Sequence, residues 1–179
     1  MKDGKISQED VPSAILGLAE AVRIDIEASS IALLIGRLRQ MERAMDGTSG
    51  ALYSITFNAL AAGFVKQDSS ETCTAKMWSI ALSHAVESLY KYTNARPPSR
   101  TLVDPLDAFT NTFAEYEGND LDKSIAEART AAEKTKDLVA KAGRAAYVGQ
   151  DALKDRQVPD PGAWGVVKIL EGIQKALST

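Results

Sequence analysis

The chain has 179 residues, a net charge of −3 and a pI near 5.3, with 45% apolar and 25% charged residues. That length suits one domain with a sizeable core, and the balance is that of a folded globular protein rather than a disordered or fibrous one. The acidic balance argues against general nucleic-acid binding, which needs concentrated positive charge, so no nucleic-acid partner is expected.

The apolar periodicity is helical almost throughout, and about six helices are predicted with no period-two run. The first begins near Asp10 with Pro12 in its first turn. Its apolar face runs Val11, Ile15, Leu18, Val22 and Ile26, then Ile31, Leu34, Leu38, Met41 and Met45, with a break placed at Ser29-Ser30. A tight turn, Asp46-Gly47-Thr48-Ser49-Gly50, opens a second helix through about Val65. Leu52, Ile55, Phe57, Leu60 and Phe64 form its bulky face, and Ala51, Ser54, Asn58 and Ala62 a slim side for close packing. The third helix spans roughly Ser70 to Tyr92, with Met77, Ile80, Leu82, Val86 and Leu89 as its apolar positions. A Pro-Pro loop, Thr93 to Thr101, leads to a shorter helix from near Asp104-Pro105 to Gly118-Asn119. The fifth, about Leu121 to Lys141, turns Ile125, Ala128, Ala132, Leu138 and Val139 inward. After the longest loop, Gly143 to Pro159, the last helix opens at Asp160-Pro161-Gly162 with the stripe Val166, Ile169, Leu170, Ile173 and Leu177. The expected fold is all-α, an antiparallel helical bundle or barrel in a single domain.

A single cysteine, Cys73, excludes an intramolecular disulfide, and the N-terminus carries no secretory pattern, so a cytoplasmic location is expected. The most apolar stretch, Ala28 to Gly36, is too short to span a bilayer, and no membrane partner is expected. One Cys and one His cannot supply a zinc site, and His84 reads as structural or solvent-facing within its helix.

No Walker loop and no Gly-x-Gly-x-x-Gly after a strand occurs, so any nucleotide would be held by helix starts. Three places fit. In Gly47-Thr48-Ser49-Gly50, glycines allow close backbone approach and hydroxyls add donors ahead of a helix whose free amides and dipole favour an anion. An ordinary N-cap at Thr48 or Ser49 explains the same string, and from physics alone is the better-supported reading. Arg144, in Gly143-Arg144-Ala145-Ala146-Tyr147, is a fixed positive charge near a phosphate or a surface arginine closing a helix. Asp160-Pro161-Gly162 is a standard helix opening and by itself says no more.

In combination the strings carry more. Met45-Asp46-Gly47-Thr48-Ser49-Gly50-Ala51-Leu52-Tyr53, Arg100-Thr101-Leu102-Val103-Asp104, Gly143-Arg144-Ala145-Ala146-Tyr147-Val148 and Pro159-Asp160-Pro161-Gly162-Ala163 follow in that order. They resemble the nucleotide-binding L domain of dihydroxyacetone (glycerone) kinases, especially the single-chain ATP-dependent fungal kind, from roughly Glu9 to the C-terminus. The resemblance implies a barrel of eight antiparallel helices that holds ATP and magnesium at one end and faces a triose-binding K domain. It implies that Gly47, Thr48, Ser49 and Gly50 form the phosphate turn and that Arg144 lies near the phosphates. Thr93, Thr101, Leu102, Asp160, Pro161 and Gly162 would line the adenine and ribose side. Two departures stand out: Asp46 where the family often has Gly, and Thr93 where a Gly usually follows the Lys-Tyr pair. Each is expected to weaken nucleotide binding without abolishing it.

The resemblance also sets expectations of what is missing. The family's Gly-Asp-Gly-Asp magnesium loop has no counterpart here, since Asp3-Gly4 lacks clustered carboxylates. The barrel is therefore expected to lack its first two helices and metal loop, with no metal ligands and no catalytic residue of its own. The chain alone is expected to be inactive as a kinase, and a K domain acting in trans or self-association would cover the exposed seam. A noncatalytic interaction module and a non-functional fragment are the competing readings. The stretch Val22 to Gln40 matches nothing in the family and reads either as a translated intron or as a genuine helical extension.

Overall fold

The computed structural model describes residues 47–67, 73–141 and 158–178. The expected first helix, the 22–40 stretch, Asp46, Arg144 and most of the 143–159 loop lie outside the described residues. Five α-helices stand among the described residues, with no strand. They are α1 (Gly47–Val65), α2 (Ala75–Tyr92), α3 (Val103–Glu115), α4 (Leu121–Lys134) and α5 (Pro161–Leu177), with a 3-10 turn at Thr135–Asp137 after α4.

Consecutive helices run antiparallel, as side-chain ties between their ends show. The C-terminal end of α1 meets the N-terminal end of α2 where Gln67 Nε2 donates to the Met77 carbonyl at 3.0 Å. Phe64 meets Trp78 edge-on at 4.8 Å between centroids. His84 joins the same pair: its Nδ1 lies 3.0 Å from the Ala59 carbonyl, and its Nε2 lies 2.6 Å from Lys66 Nζ. That is a structural role, as expected for this residue. Lys76 at the start of α2 pairs with Glu117 just beyond α3, and Gln174 late in α5 donates to Asp122 early in α4 at 2.6 Å. An all-α antiparallel bundle follows.

Three apolar clusters hold it. The largest joins Val86 and Leu89 of α2, Leu102, Val103, Leu106, Phe109 and Phe113 around α3, Ile125 and Ala128 of α4, and Val166 and Leu170 of α5. The second is built of small residues between α1 and α2, with Ala59, Ala61, Ala81 and Ala85 beside Leu60 and Phe64. A Cβ on Gly63 would sit 2.8 Å from the Ala81 Cα, so the two backbones are in near contact there. The third joins Ala132 of α4 to Ala163 and Val167 of α5.

Several sequence expectations need correction. The face of α1 in closest contact with α2 is Ala59 and Gly63, beside the stripe of Ala51, Ser54, Asn58 and Ala62, of which Ala51 is exposed. The two stripes lie one residue apart, about 100° around the helix, and spacing alone does not say which meets the neighbour. Helix α2 starts at Ala75, not Ser70, because the Thr74 hydroxyl caps it by accepting from the Met77 amide at 3.2 Å. Ile80 is 48% exposed despite its apolar period. Helix α4 stops at Lys134 rather than reaching Lys141. The Thr135 hydroxyl bonds the Ala132 carbonyl and receives the Asp160 amide, and the chain tightens into the 3-10 turn, leaving Val139 exposed. Leu177, at the last turn of α5, is also exposed.

Gly118 ends α3 in the left-handed region, at φ +82°, and a Cβ there would lie 2.3 Å from the Ala75 carbonyl oxygen. Gly118→Ala is therefore expected to lower stability by about 2 kcal/mol or more, combining left-handed strain with overpacking. Urea denaturation checks it, and an unchanged midpoint would contradict the close α2–α3 junction.

Candidate functional site

Alternation of direction puts the starts of α1, α3 and α5 at one end of the bundle, together with the ends of α2 and α4. Contacts across this end bear that out. A Cβ on Gly162 would approach Leu102 Cβ at 3.6 Å, one on Gly165 would lie 3.7 Å from Tyr53 Oη, and the Lys141 amide donates to the Ser99 carbonyl at 3.2 Å. Leu102, Gly162 and the Tyr53 turn of α1, far apart in sequence, are thus neighbours.

The α3 start is closed on itself by Thr101-Leu102-Val103-Asp104. The Asp104 carboxylate accepts from the Thr101 amide at 2.8 Å and the Ser99 amide at 2.9 Å, with both hydroxyls near it at 3.3 and 3.4 Å. The Thr101 hydroxyl in turn accepts from the Val103 amide at 3.1 Å. These bonds shape the loop that follows the cis Pro97-Pro98 bond. Thr101 and Leu102 are buried, and the Thr101 hydroxyl is committed to the loop.

Between these residues Arg100 adopts φ +58°, a left-handed conformation that costs a side-chain-bearing residue on the order of 1–2 kcal/mol. Its guanidinium is buried and donates to three carbonyls: Leu138 at 3.1 Å, Lys136 at 3.4 Å and Val158 at 3.0 Å. The first two carbonyls follow α4, and the third precedes α5.

The α5 start is also filled. Pro161 has no amide hydrogen, Asp160 Oδ1 accepts from the Ala163 amide at 2.9 Å, and the Trp164 amide bonds the Asp160 carbonyl at 3.1 Å. A Cβ on Gly162 would press within 3.0 Å of that carboxylate, so glycine suits the cap. Burial raises the Asp160 carboxyl above its ordinary 3.8, against amide hydrogen bonds and the Arg100 charge that pull it down. Burial, with the neighbouring Asp160, pushes the Tyr53 phenol up to about 12, so it stays a neutral donor at physiological pH.

The α1 start differs. Helix geometry leaves the amides of Gly47, Thr48, Ser49 and Gly50 without acceptors inside the helix. Its first turn contains no acidic residue, and Gly47, Thr48 and Ser49 are exposed. Gly47, at φ +77°, opens the helix, so Thr48 and Ser49 lie within the first turn and neither is its N-cap. Of the three helix openings at this end, this is the one with no acidic residue in its first turn among the described residues; Asp46, which precedes it in sequence, lies outside them.

Thr93 caps the C-terminus of α2. Its hydroxyl accepts from the Ala95 amide at 3.1 Å, and Arg96 donates to its carbonyl at 2.7 Å while lying 3.9 Å over the Tyr90 ring. Tyr90 donates to Asp107 of α3, and burial followed by that bond raises its phenol well above the usual range. Thr93 therefore sits at the same end, on the α2–α3 side. The sequence reading passed over Arg100, Asp104 and Thr135 as organising residues. The Thr-x-x-Asp spacing could have disclosed Asp104; nothing local discloses what Arg100 and Thr135 touch.

The fold and these openings define an all-α domain that presents helix N-termini at one end. Comparison with known sequences adds the family. The model of the DAK2 domain matches residues 14–175. A dihydroxyacetone kinase of Komagataella pastoris is 42% identical over 143 residues, covering 76% of this chain and 23% of that protein. One of Pichia angusta is 37% identical over 172 residues, covering 92% of this chain and 28% of that protein. A triokinase/FMN cyclase of Homo sapiens is 33% identical over 141 residues, covering 75% and 23% respectively. This chain belongs to the DAK2 domain family and corresponds to an L-domain-like region of the dihydroxyacetone kinases. It spans about a quarter of the length of the curated relatives it matches.

Asp160 offers a test with a defined sign. Asn caps helices as well as Asp does, so Asp160→Asn is expected to keep the cap, while Asp160→Ala costs roughly 0.5–2 kcal/mol. A carboxyl whose folded-state pKa is raised favours the folded protein most when protonated, and that contribution is lost as pH rises through the raised value. Melting curves from acid to neutral pH should show the parent losing ground to Asp160→Asn as pH climbs. A parallel pair of curves would contradict the burial of this group.

Proposed function

We propose that this chain holds ATP for a kinase of the dihydroxyacetone type, in which the γ-phosphoryl of ATP passes to dihydroxyacetone during glycerol catabolism in the cytoplasm. The observation that carries the reading is the contrast among three helix openings gathered at one end. The Asp160 carboxylate caps α5 at the Ala163 amide and Asp104 stands in the first turn of α3, whereas the α1 opening, where Gly47, Thr48 and Ser49 are exposed, has no acidic residue in its first turn. A polyanion is drawn to the third, where backbone amides and the helix dipole favour negative charge. The carboxylate-bearing side suits the uncharged base and the ribose hydroxyls.

ATP therefore fits with its phosphates on the amides and hydroxyls of Thr48 and Ser49, and its base toward Thr93, Leu102 and Asp160–Gly162. Arg144, outside the described residues, is assigned to the phosphates by the family resemblance. Phosphoryl transfer depends on positioning and charge stabilisation rather than on covalent chemistry by the protein, and this chain's contribution is the positioning of the donor. Magnesium is a different matter. Among the described residues no three of His, Cys, Asp and Glu gather to hold a metal ion. A triose-binding domain, in trans or in the same protein, is the partner this reading requires. Among the described residues no helix is long and apolar enough to cross a membrane.

Ser49→Asp separates ligand binding from folding. A carboxylate in the first turn favours the helix by roughly 0.3–1 kcal/mol, yet it repels phosphates at the same point. The variant is expected to melt no lower than the parent and to bind ATP, in the presence of magnesium, at least tenfold more weakly by calorimetry. Equal affinity in both proteins would remove the phosphates from this turn.

A further inference from the structure

We infer that Arg100 is a positioning residue that sets the base-side half of the nucleotide site, acting through the α5 opening rather than by touching the ligand; this rests on the nucleotide reading above. Its guanidinium spans the three segments that must stay in register for that half to exist. It ties its own loop, which carries Thr101 and Leu102, to the turn after α4 through the Lys136 and Leu138 carbonyls. It ties the same loop to the approach to α5 through the Val158 carbonyl. Val158 is two residues before Asp160, and Leu102, two residues after Arg100, is the nearest neighbour of Gly162 outside its own turn. Moving the guanidinium therefore moves Leu102 and Asp160–Gly162 relative to each other.

Two features make this an unfavourable way to hold a loop if stability alone were gained. The residue is left-handed without being glycine, and its buried Nε has no hydrogen-bond partner among the described residues. A planar fork is what reaches several carbonyls at once; lysine offers a single ammonium on a flexible stem. By contrast, the phosphate turn at Gly47–Gly50 belongs to another helix start, and none of the hydrogen bonds made by Arg100 reaches it.

The two halves can be read separately with two probes, ATP and inorganic tripolyphosphate, which carries the phosphates without the nucleoside. On the full chain, Arg100→Lys is expected to weaken ATP binding at least tenfold while leaving tripolyphosphate binding within twofold of the parent. Arg100→Gly keeps a residue suited to the left-handed backbone, so it provides the same measurement should the lysine variant fail to fold; added guanidinium ion should partly restore its ATP affinity. ATP binding within twofold of the parent in a folded variant overturns the inference. So does an equal loss for both probes, which would make Arg100 merely structural. A parent that binds neither probe sinks the nucleotide reading itself, and this inference with it.

Discussion

A buried carboxylate must find donors, and Asp104 finds them in the loop that precedes it. Two amides and two hydroxyls from Ser99 and Thr101 surround its oxygens, and the loop is bent to deliver them. Bending it that way turns Arg100 into the left-handed region and sends its guanidinium toward the end of α4 and the approach to α5. Thr135 adds a second tie in the same place, accepting the Asp160 amide at 2.8 Å. The arrangement at this end of the bundle thus descends from one side chain seeking partners, passed along by a second that reaches across.

The two ends of the bundle do different work. At the far end, glycine contacts and amide bonds join helix to helix: Gly118 against Ala75, Gln67 onto Met77, Gln174 onto Asp122. The Lys76–Glu117 pair there is largely exposed and contributes little. At the near end, helix openings replace helix-to-helix packing as the dominant feature, because alternation of direction sends every odd-numbered helix out from it. Polar atoms that would be awkward inside a core are instead arranged around an opening.

Electrostatics divide that end into two regions. The Asp160 carboxylate caps α5 and the Asp104 carboxylate stands in the first turn of α3, so those two openings carry negative charge, while the first turn of α1 has no acidic residue. A ligand with a charged tail and an uncharged head has one sensible orientation across such a surface. A net charge of −3 does not by itself exclude a polyanion, because the local dipole and amides matter more than the sum of charges.

Helix content was legible because the apolar positions recur at helical spacing, and the openings at Asp160-Pro161-Gly162 and Gly47-Thr48-Ser49-Gly50 were legible because their residues have few other uses. The ordered strings also disclosed the family, since their spacing is a property of the chain itself. What local pattern could not supply was contact. The α4 pattern continued past Lys134 in residue type, but Thr135 broke it by bonding to a segment 25 residues on. Thr48 and Ser49 looked like caps and lie inside the first turn, because Gly47 had already opened the helix. Periodicity records which face of a helix is apolar, whereas its partner is set by how whole helices pack. For that reason only the tertiary structure decided that Ala59 and Gly63 meet Ala81, that Arg100 reaches three carbonyls, and that three distant strings share one end.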